Sequence, residues 1–221
     1  MGRVHEYDGD AIRVTYEPSR CIHAAECVRG LPAVFDTDRK PWIDASGAAA
    51  DAIAEVIHRC PTGALKYRRT DGGAQERVGG ENILTVSADG PLYARGDIEV
   101  LDSNRTLLSR ETRAAFCRCG ASKNKPWCDG SHADAGFRAP AELAAKSLKP
   151  PPDPAPGPLR VRLRENGPLV LEGPFRISGD DGNDRYGGGC ALCRCGASAG
   201  KPWCDGSHNA IGFQAEEPGA G

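Results

Sequence analysis

Two segments of this chain carry the same string of metal-binding residues. Cys117, Cys119, Cys128 and His132 form one C-x-C-x8-C-x3-H set, and Cys193, Cys195, Cys204 and His208 repeat it at an offset of 76. Thiolate sulfur with imidazole nitrogen selects zinc or iron–sulfur chemistry over calcium or magnesium. A complete four-ligand set in so short a stretch constrains the fold, because a bound metal can replace much of a hydrophobic core. The composition asks for such a replacement. Only 6% of the 221 residues are aromatic, while 28 are glycine and 17 proline. This is the make-up of small, loop-rich modules rather than of one thick core.

Cysteine arithmetic supports ligation. Each repeat uses three of the ten cysteines, Cys21, Cys27 and Cys60 form an N-terminal group, and Cys190 is left over as a small filler or incidental thiol. The first ten residues carry no hydrophobic signal core, and no apolar run approaches the roughly 20 residues of a spanning helix. The expectation is a cytoplasmic protein with no membrane partner, whose cysteines are ligands rather than disulfides. Basic and acidic residues number 28 and 30, with no basic stripe to track phosphates, so nucleic acid is not an expected partner.

Periodicity divides the chain into three parts. In residues 11–68, Ile12 to Tyr16 alternate as a half-buried strand, and Leu65 to Tyr67 read as a strand returning beside it. Between them Ala48 to His58 reads as a helix, with Ile53, Val56, Ile57 and Cys60 on one face. Pro61 turns the chain at Cys60. Residues 69–80 read as a flexible linker, and 140–158, with Pro150-Pro151-Pro152, as a stiff extended spacer. Residues 81–139 and 159–214 read as duplicated modules, with strands at Ile83–Val86 and Ile98–Leu101 in the first and Leu159–Leu163 and Leu169–Leu171 in the second. Gly187-Gly188-Gly189 reads as a turn.

Local chemistry fits a metal loop. Cys117 and Cys119 are close enough to share one metal. Asp129 suits a helix N-cap, which would start a short helix holding His132, its positive end toward an anionic cluster. Gly120 and Gly130 permit unusual dihedrals. Pro126 and Trp127, with Pro202 and Trp203 in the copy, would stiffen and shield the loop.

Both copies resemble the CDGSH iron–sulfur (NEET) family signature, through Cys117, Cys119, Ser122, Pro126, Cys128, Asp129, Gly130, Ser131 and His132 and through Cys193, Cys195, Ser198, Pro202, Cys204, Asp205, Gly206, Ser207 and His208. The resemblance implies a [2Fe–2S] cluster per motif, one iron held by two cysteines and the other by a cysteine and the histidine. It also implies a β-cradle completed by dimerisation in single-motif members, which tandem copies would complete within one chain. A neutral imidazole in place of a thiolate removes a negative charge, which eases reduction and makes the site acid-labile. The alternative is a structural zinc site. Zinc fingers usually space cysteines at C-x2-4-C, and C-x-C is tight for one tetrahedral ion.

The N-terminal cysteines resemble those of divergent mono-cluster ferredoxins. On the C-x2-C-x2-C pattern with a later Cys-Pro, Cys21 and Cys27 take the first and third places, Cys60-Pro61 the last, and Ala24 the second. Three cysteines alone suit [3Fe–4S], and His23 would be the fourth ligand for [4Fe–4S]. A metal-free, decayed ferredoxin fold is the bland alternative. His58 reads as a surface or outer-shell residue, His5 as solvated, and Trp42 as core.

The expected fold class is α+β, a small ferredoxin-like domain followed by two β-rich CDGSH modules forming an intramolecular pseudo-dimer. No nucleophile triad, Walker loop or dinucleotide fingerprint is present, so an enzyme is not expected. The expected role is electron transfer, cluster transfer or redox sensing, with a redox partner or apo-protein acceptor. A zinc-stabilised interaction module is the competing reading.

Overall fold

A computed structural model describes residues 2–76, 80–143, 145–146, 148–151, 157–180 and 182–216. The chain divides near residue 77 into two compact units, mixed α and β but mostly strand. No helix among the described residues is long and apolar enough to cross a membrane.

The first unit is a three-stranded antiparallel sheet, β1 (His5–Asp8), β2 (Ile12–Tyr16) and β3 (Leu65–Arg69), in that order, with helices α1 (Glu26–Gly30) and α2 (Ala50–His58). Alternation along β2 buries Ile12 and Val14. The α2 face expected from its spacing is the buried one: Ile53, Val56 and Ile57 join Val34, Phe35, Ile43 and Leu65 in a single core. Full burial of each such side chain contributes about 1.5–3 kcal/mol.

Strand β1 lies outside the sequence expectation, which began the domain at Ala11 and left His5 in an unpatterned start. β1 pairs with β2 along His5–Asp8 and packs Tyr7 on the core, and Arg13 on β2 reaches across to Glu6 at 3.1 Å and Asp8 at 2.5 Å. The start of the expected 69–80 linker is likewise tied down. Asp71 accepts from Arg69 and from the Gly73 N–H, and the Arg69 guanidinium and these hydrogen bonds pull its carboxyl down to about 2. Residues 77–79 of that linker lie outside the described residues.

The second unit is one six-stranded sheet. Its strands are β4 (Ile83–Val86), β5 (Leu92–Leu101), β6 (Leu107–Phe116), β7 (Leu159–Leu163), β8 (Leu169–Ser178) and β9 (Arg185–Leu192). Each copy folds as an antiparallel meander, β4-β5-β6 and β7-β8-β9. The short first strand of each copy also pairs, parallel, with the far half of the other copy's long middle strand: Leu84 with Ile177, and Val100 with Val161. The six strands therefore share one core, including Leu84, Ile98, Val100 and Phe116 from the first copy and Leu159, Leu163, Leu171 and Ile177 from the second. Ion pairs repeat the exchange, Arg105 to Glu172 at 2.9 Å and Arg160 to Glu99 at 3.0 Å.

Two expectations fail here for one reason. Gly187, Gly188 and Gly189 form part of β9, not a turn, and Leu148, Lys149 and Pro150 of the expected spacer pack on them. The Gly188 N–H donates to the Lys149 carbonyl at 2.8 Å, and Lys149 bridges Gly189. A Cβ on Gly188 would stand 2.3 Å from the Pro150 carbonyl oxygen. The glycines leave room for a second backbone to approach. Ala141 and Leu143, also in that segment, are buried. The Pro152 end, residues 152–156, lies outside the described residues.

Candidate functional site

In both copies the last strand delivers the first ligand and a return loop fastens to it. The Cys117 N–H donates to the Pro126 carbonyl at 2.8 Å, and the Cys128 N–H to Ala115 at 2.8 Å. The second copy repeats this with Cys193 to Pro202 at 2.8 Å and Cys204 to Ala191 at 3.0 Å. Buried Ser122 and Ser198 lock the loops by donating to the Trp127 and Trp203 carbonyls at 2.7 and 2.6 Å.

The ligand candidates converge in pairs. Cys117 Sγ and Cys119 Sγ are 3.7 Å apart, as are those of Cys193 and Cys195. Cys128 Sγ lies 3.4 Å from His132 Nδ1, and Cys204 Sγ 3.5 Å from His208 Nδ1. Among the described residues no group of three or more Cys, His, Asp or Glu side chains closes on one metal-ion position. Pairs of this kind suit two metal positions with two ligands each. The donor set of three sulfurs and one imidazole nitrogen fits a two-iron cluster. The sulfurs already accept N–H bonds, from Ala121 to Cys119 and from Ala197 to Cys195 at 3.4 and 3.5 Å, which favour thiolate. The Cys117 thiol, with the Ala121 and Ser122 amides, pulls Cys119 down to about 6, while burial pushes Cys128 up to about 11.

The expected helix start differs in detail. Residues 207–210 form a single helical turn, α3 (Ser207–Ala210), and Ser131 and His132 lie in turns. Neither aspartate caps a helix. Asp129 accepts from the Ser131 N–H and hydroxyl at 3.0 and 2.7 Å and from the Lys123 N–H at 2.8 Å, tying the His132 turn to the loop after Cys119. Burial alone would raise the Asp129 carboxyl, but these hydrogen bonds hold it below its ordinary value. Asp205 makes the same contacts and is held well below.

The two loops touch. Cys119 and Cys195 form an antiparallel bridge. Gly120 and Gly196 take left-handed φ of 79° and 81°, and each lies against the other loop's cysteine backbone. A Cβ on Gly120 would stand 2.5 Å from the Cys195 carbonyl oxygen.

Sequence reasoning passed over the residue inside each C-x-C. Arg118 and Arg194 are only 4% and 1% exposed. Their guanidinium carbons sit 5.7 Å from the Phe137 and Phe213 ring centres. Arg118 donates to the Ser87 carbonyl at 2.5 Å, and Arg194 to Gly167 and Arg164 at 2.9 and 2.8 Å. Burial lowers the Arg118 pKa, against Cys193 of the other copy and Asp89, whose charge favours the cation. The retention of Arg and Phe in both copies was the available signal. Cys190 packs on the core as filler, its thiol pushed up to about 12 by burial.

In the first unit Cys21, Ala24, Cys27 and Cys60 line one small, partly open cavity beside Tyr16 and Trp42. This sulfur-lined hollow fits a cluster held by three cysteines. Ala24 stands where a second cysteine would, and burial raises the Cys27 thiol. His23 does not line this cavity but faces an open groove beyond it. His58 bonds Tyr67 Oη at 3.1 Å, away from the cavity lining. Trp42 is only partly buried against the core and also walls the cavity.

Comparison with known proteins agrees with this division. The family described as "Divergent 4Fe-4S mono-cluster" matches residues 7–70. "Iron-binding zinc finger CDGSH type" matches residues 89–133 and 166–209. "Uncharacterized protein YjdI" of Escherichia coli (strain K12) is 42% identical over 62 residues, 28% of this chain and 82% of that protein. The YjdI of Escherichia coli O157:H7 matches to the same extent. The chain carries two CDGSH-type domains behind a divergent 4Fe-4S mono-cluster domain.

Proposed function

We propose that this chain is a non-enzymatic carrier of three iron–sulfur clusters. Cys117, Cys119, Cys128 and His132 hold one [2Fe–2S] cluster, and Cys193, Cys195, Cys204 and His208 hold a second. Cys21, Cys27 and Cys60 hold a [3Fe–4S] or [4Fe–4S] cluster. The observation that carries this reading is the pairing of ligands in each CDGSH loop, Cys with Cys at 3.7 Å and Cys with His at 3.4 or 3.5 Å.

The two modules act as an intramolecular pseudo-dimer. Support comes from the reciprocal parallel pairing of β4 with β8 and β7 with β5 and from the Cys119–Cys195 bridge. The chain is then a monomer that needs no second copy to complete its cradle. The first unit is its ferredoxin-like part.

Clusters supply one-electron chemistry when bound. The protein's part is to hold sulfur and imidazole in pairs and to donate N–H bonds to the sulfurs, with a buried guanidinium, Arg118, coupled to Cys193 of the other copy. The role is electron transfer, cluster transfer or redox sensing in the cytoplasm. Its partners are a redox protein or an apo-protein acceptor, not nucleic acid or membrane.

Absorbance, iron and acid-labile sulfide on anaerobically purified protein test this. Brown protein with matching iron and sulfide is expected, and colourless protein with stoichiometric zinc sinks the reading. EPR types the N-terminal cluster, since a signal in the oxidised state denotes [3Fe–4S] and a reduced-state signal beyond those of the two [2Fe–2S] clusters denotes [4Fe–4S]. Mild acid should bleach the CDGSH clusters, and changing His132 and His208 to Cys should suppress the bleaching.

A further inference from the structure

The loop from Cys21 to Cys27 has two working faces. Ala24 and Glu26 line the small cavity, whereas His23 lines an open groove beside it, and Cys21, Ala25 and Cys27 line both. Backbone strain makes this possible. His23 and Ala25 are non-glycine residues with φ of 57° and 62°, a left-handed conformation that residues with a Cβ rarely adopt. Such strain persists where the fold holds it and is found at ligand sites.

The groove has a volume of about 630 Å³, within the roughly 300–1,000 Å³ of small-molecule sites. Its walls carry two kinds of group. Tyr7, Tyr16 and Trp42 supply aromatic faces, and Tyr16 and Trp42 fix one another edge to face at 4.9 Å. His23, Arg39 and Lys40 supply basic groups, and no carboxylate lines the groove. Arg39 is held in place by donating to the Ala33 and Val34 carbonyls at 3.1 and 2.7 Å.

We propose that this groove binds a planar aromatic anion of the flavin-phosphate class. The ring lies on the tyrosine and tryptophan wall, and the anionic group lies toward Lys40 and Arg39. Aromatic faces favour a flat ring, and uncompensated basic groups favour an anion. The ring then rests against Cys21 and Cys27, which is where a small electron carrier would have to sit. That significance rests on the cluster reading above; the binding itself does not.

The test is a titration of the full chain with flavin mononucleotide, followed by quenching of flavin fluorescence, with iron and sulfide measured on the same sample. Saturable quenching is expected. Riboflavin, which lacks the phosphate, should bind about tenfold more weakly, and Lys40→Glu should weaken flavin mononucleotide by a similar factor. Thr37→Trp, which fills the groove from an exposed position, should abolish binding. Absence of saturation at millimolar flavin mononucleotide, equal binding of riboflavin, or unchanged affinity in both variants overturns the proposal. No binding with iron and sulfide present defeats the groove alone. Binding without iron and sulfide defeats the cluster reading alone.

Discussion

The two CDGSH modules present nearly the same ligand loop on different backing. Ligand spacings agree within 0.1 Å, and both buried arginines stand 5.7 Å from their phenylalanine rings. Behind the loops the copies diverge. Phe116 stacks on Trp127 at 5.3 Å, whereas the matching strand end is Leu192, and Trp203 instead has Lys146 over its ring at 5.3 Å. Cys128 is buried and Cys204 is not. Duplication kept the atoms that face the metal and relaxed those that face the core. Two sites alike in ligation are thus set in different surroundings, which is how one chain can hold two clusters of different potential.

Breaking one copy at a time tests that independence most severely. Cys128→Ala should remove one [2Fe–2S] signal and about two irons per chain, and Cys204→Ala the other, by EPR and iron assay. Loss of both signals from either variant would mean that the copies assemble as one unit.

The shared contact comes next. Gly120→Ala and Gly196→Ala each place a Cβ into the opposing loop from a left-handed backbone, and each should cost about 2 kcal/mol or more by denaturant unfolding. Unequal costs would show that the contact is less symmetric than its geometry.

Arg118→Met and Arg194→Met should each cost about 1–3 kcal/mol, because buried carbonyls lose their donor. Each should also lower the reduction potential of the nearby cluster, measured by redox titration. An unchanged potential in both would remove the arginines from the electrostatics of the sites.

A smaller effect concerns the backing alone. Phe116→Leu makes the first copy resemble the second and should cost about 1–2 kcal/mol through lost stacking and volume, while leaving iron content unchanged.

The last concerns pH. Asp129 and Asp205 have carboxyl groups held below their ordinary 3.8 by hydrogen bonds in the fold. A lowered folded value stabilises above the unfolded one, and the benefit is lost as pH falls through the folded value. Cluster-free protein should therefore lose thermal stability below about pH 4, and the double Asp→Asn variant should show a flatter acid limb.

Much of the site was legible because its information is local. The C-x-C-x8-C-x3-H spacing identifies the donors, and period-two and 3.6-residue patterns place β2, β4, β7 and α2 almost to the residue. Other elements were silent for physical reasons. Strand β1 has no apolar alternation, and its two carboxylates pair with Arg13 on β2. In β9 three glycines look like a turn until a second backbone is seen to lie on them. Asp129 looked like a helix cap because capping and turn-closing use the same short side chain.

By itself the sequence determined the candidate ligand set and its duplication, because metal chemistry is set by which atoms lie within one short loop. Only the tertiary structure decided that β4 and β7 cross to the other copy's sheet, that Cys119 meets Cys195, and that an arginine from each C-x-C is buried over a phenylalanine. The pairings between copies join residues 61 to 93 positions apart, Val100 with Val161 and Leu84 with Ile177 at the extremes. Each arginine lies 19 positions from its phenylalanine, and contacts at such separations leave no periodicity in the chain to read.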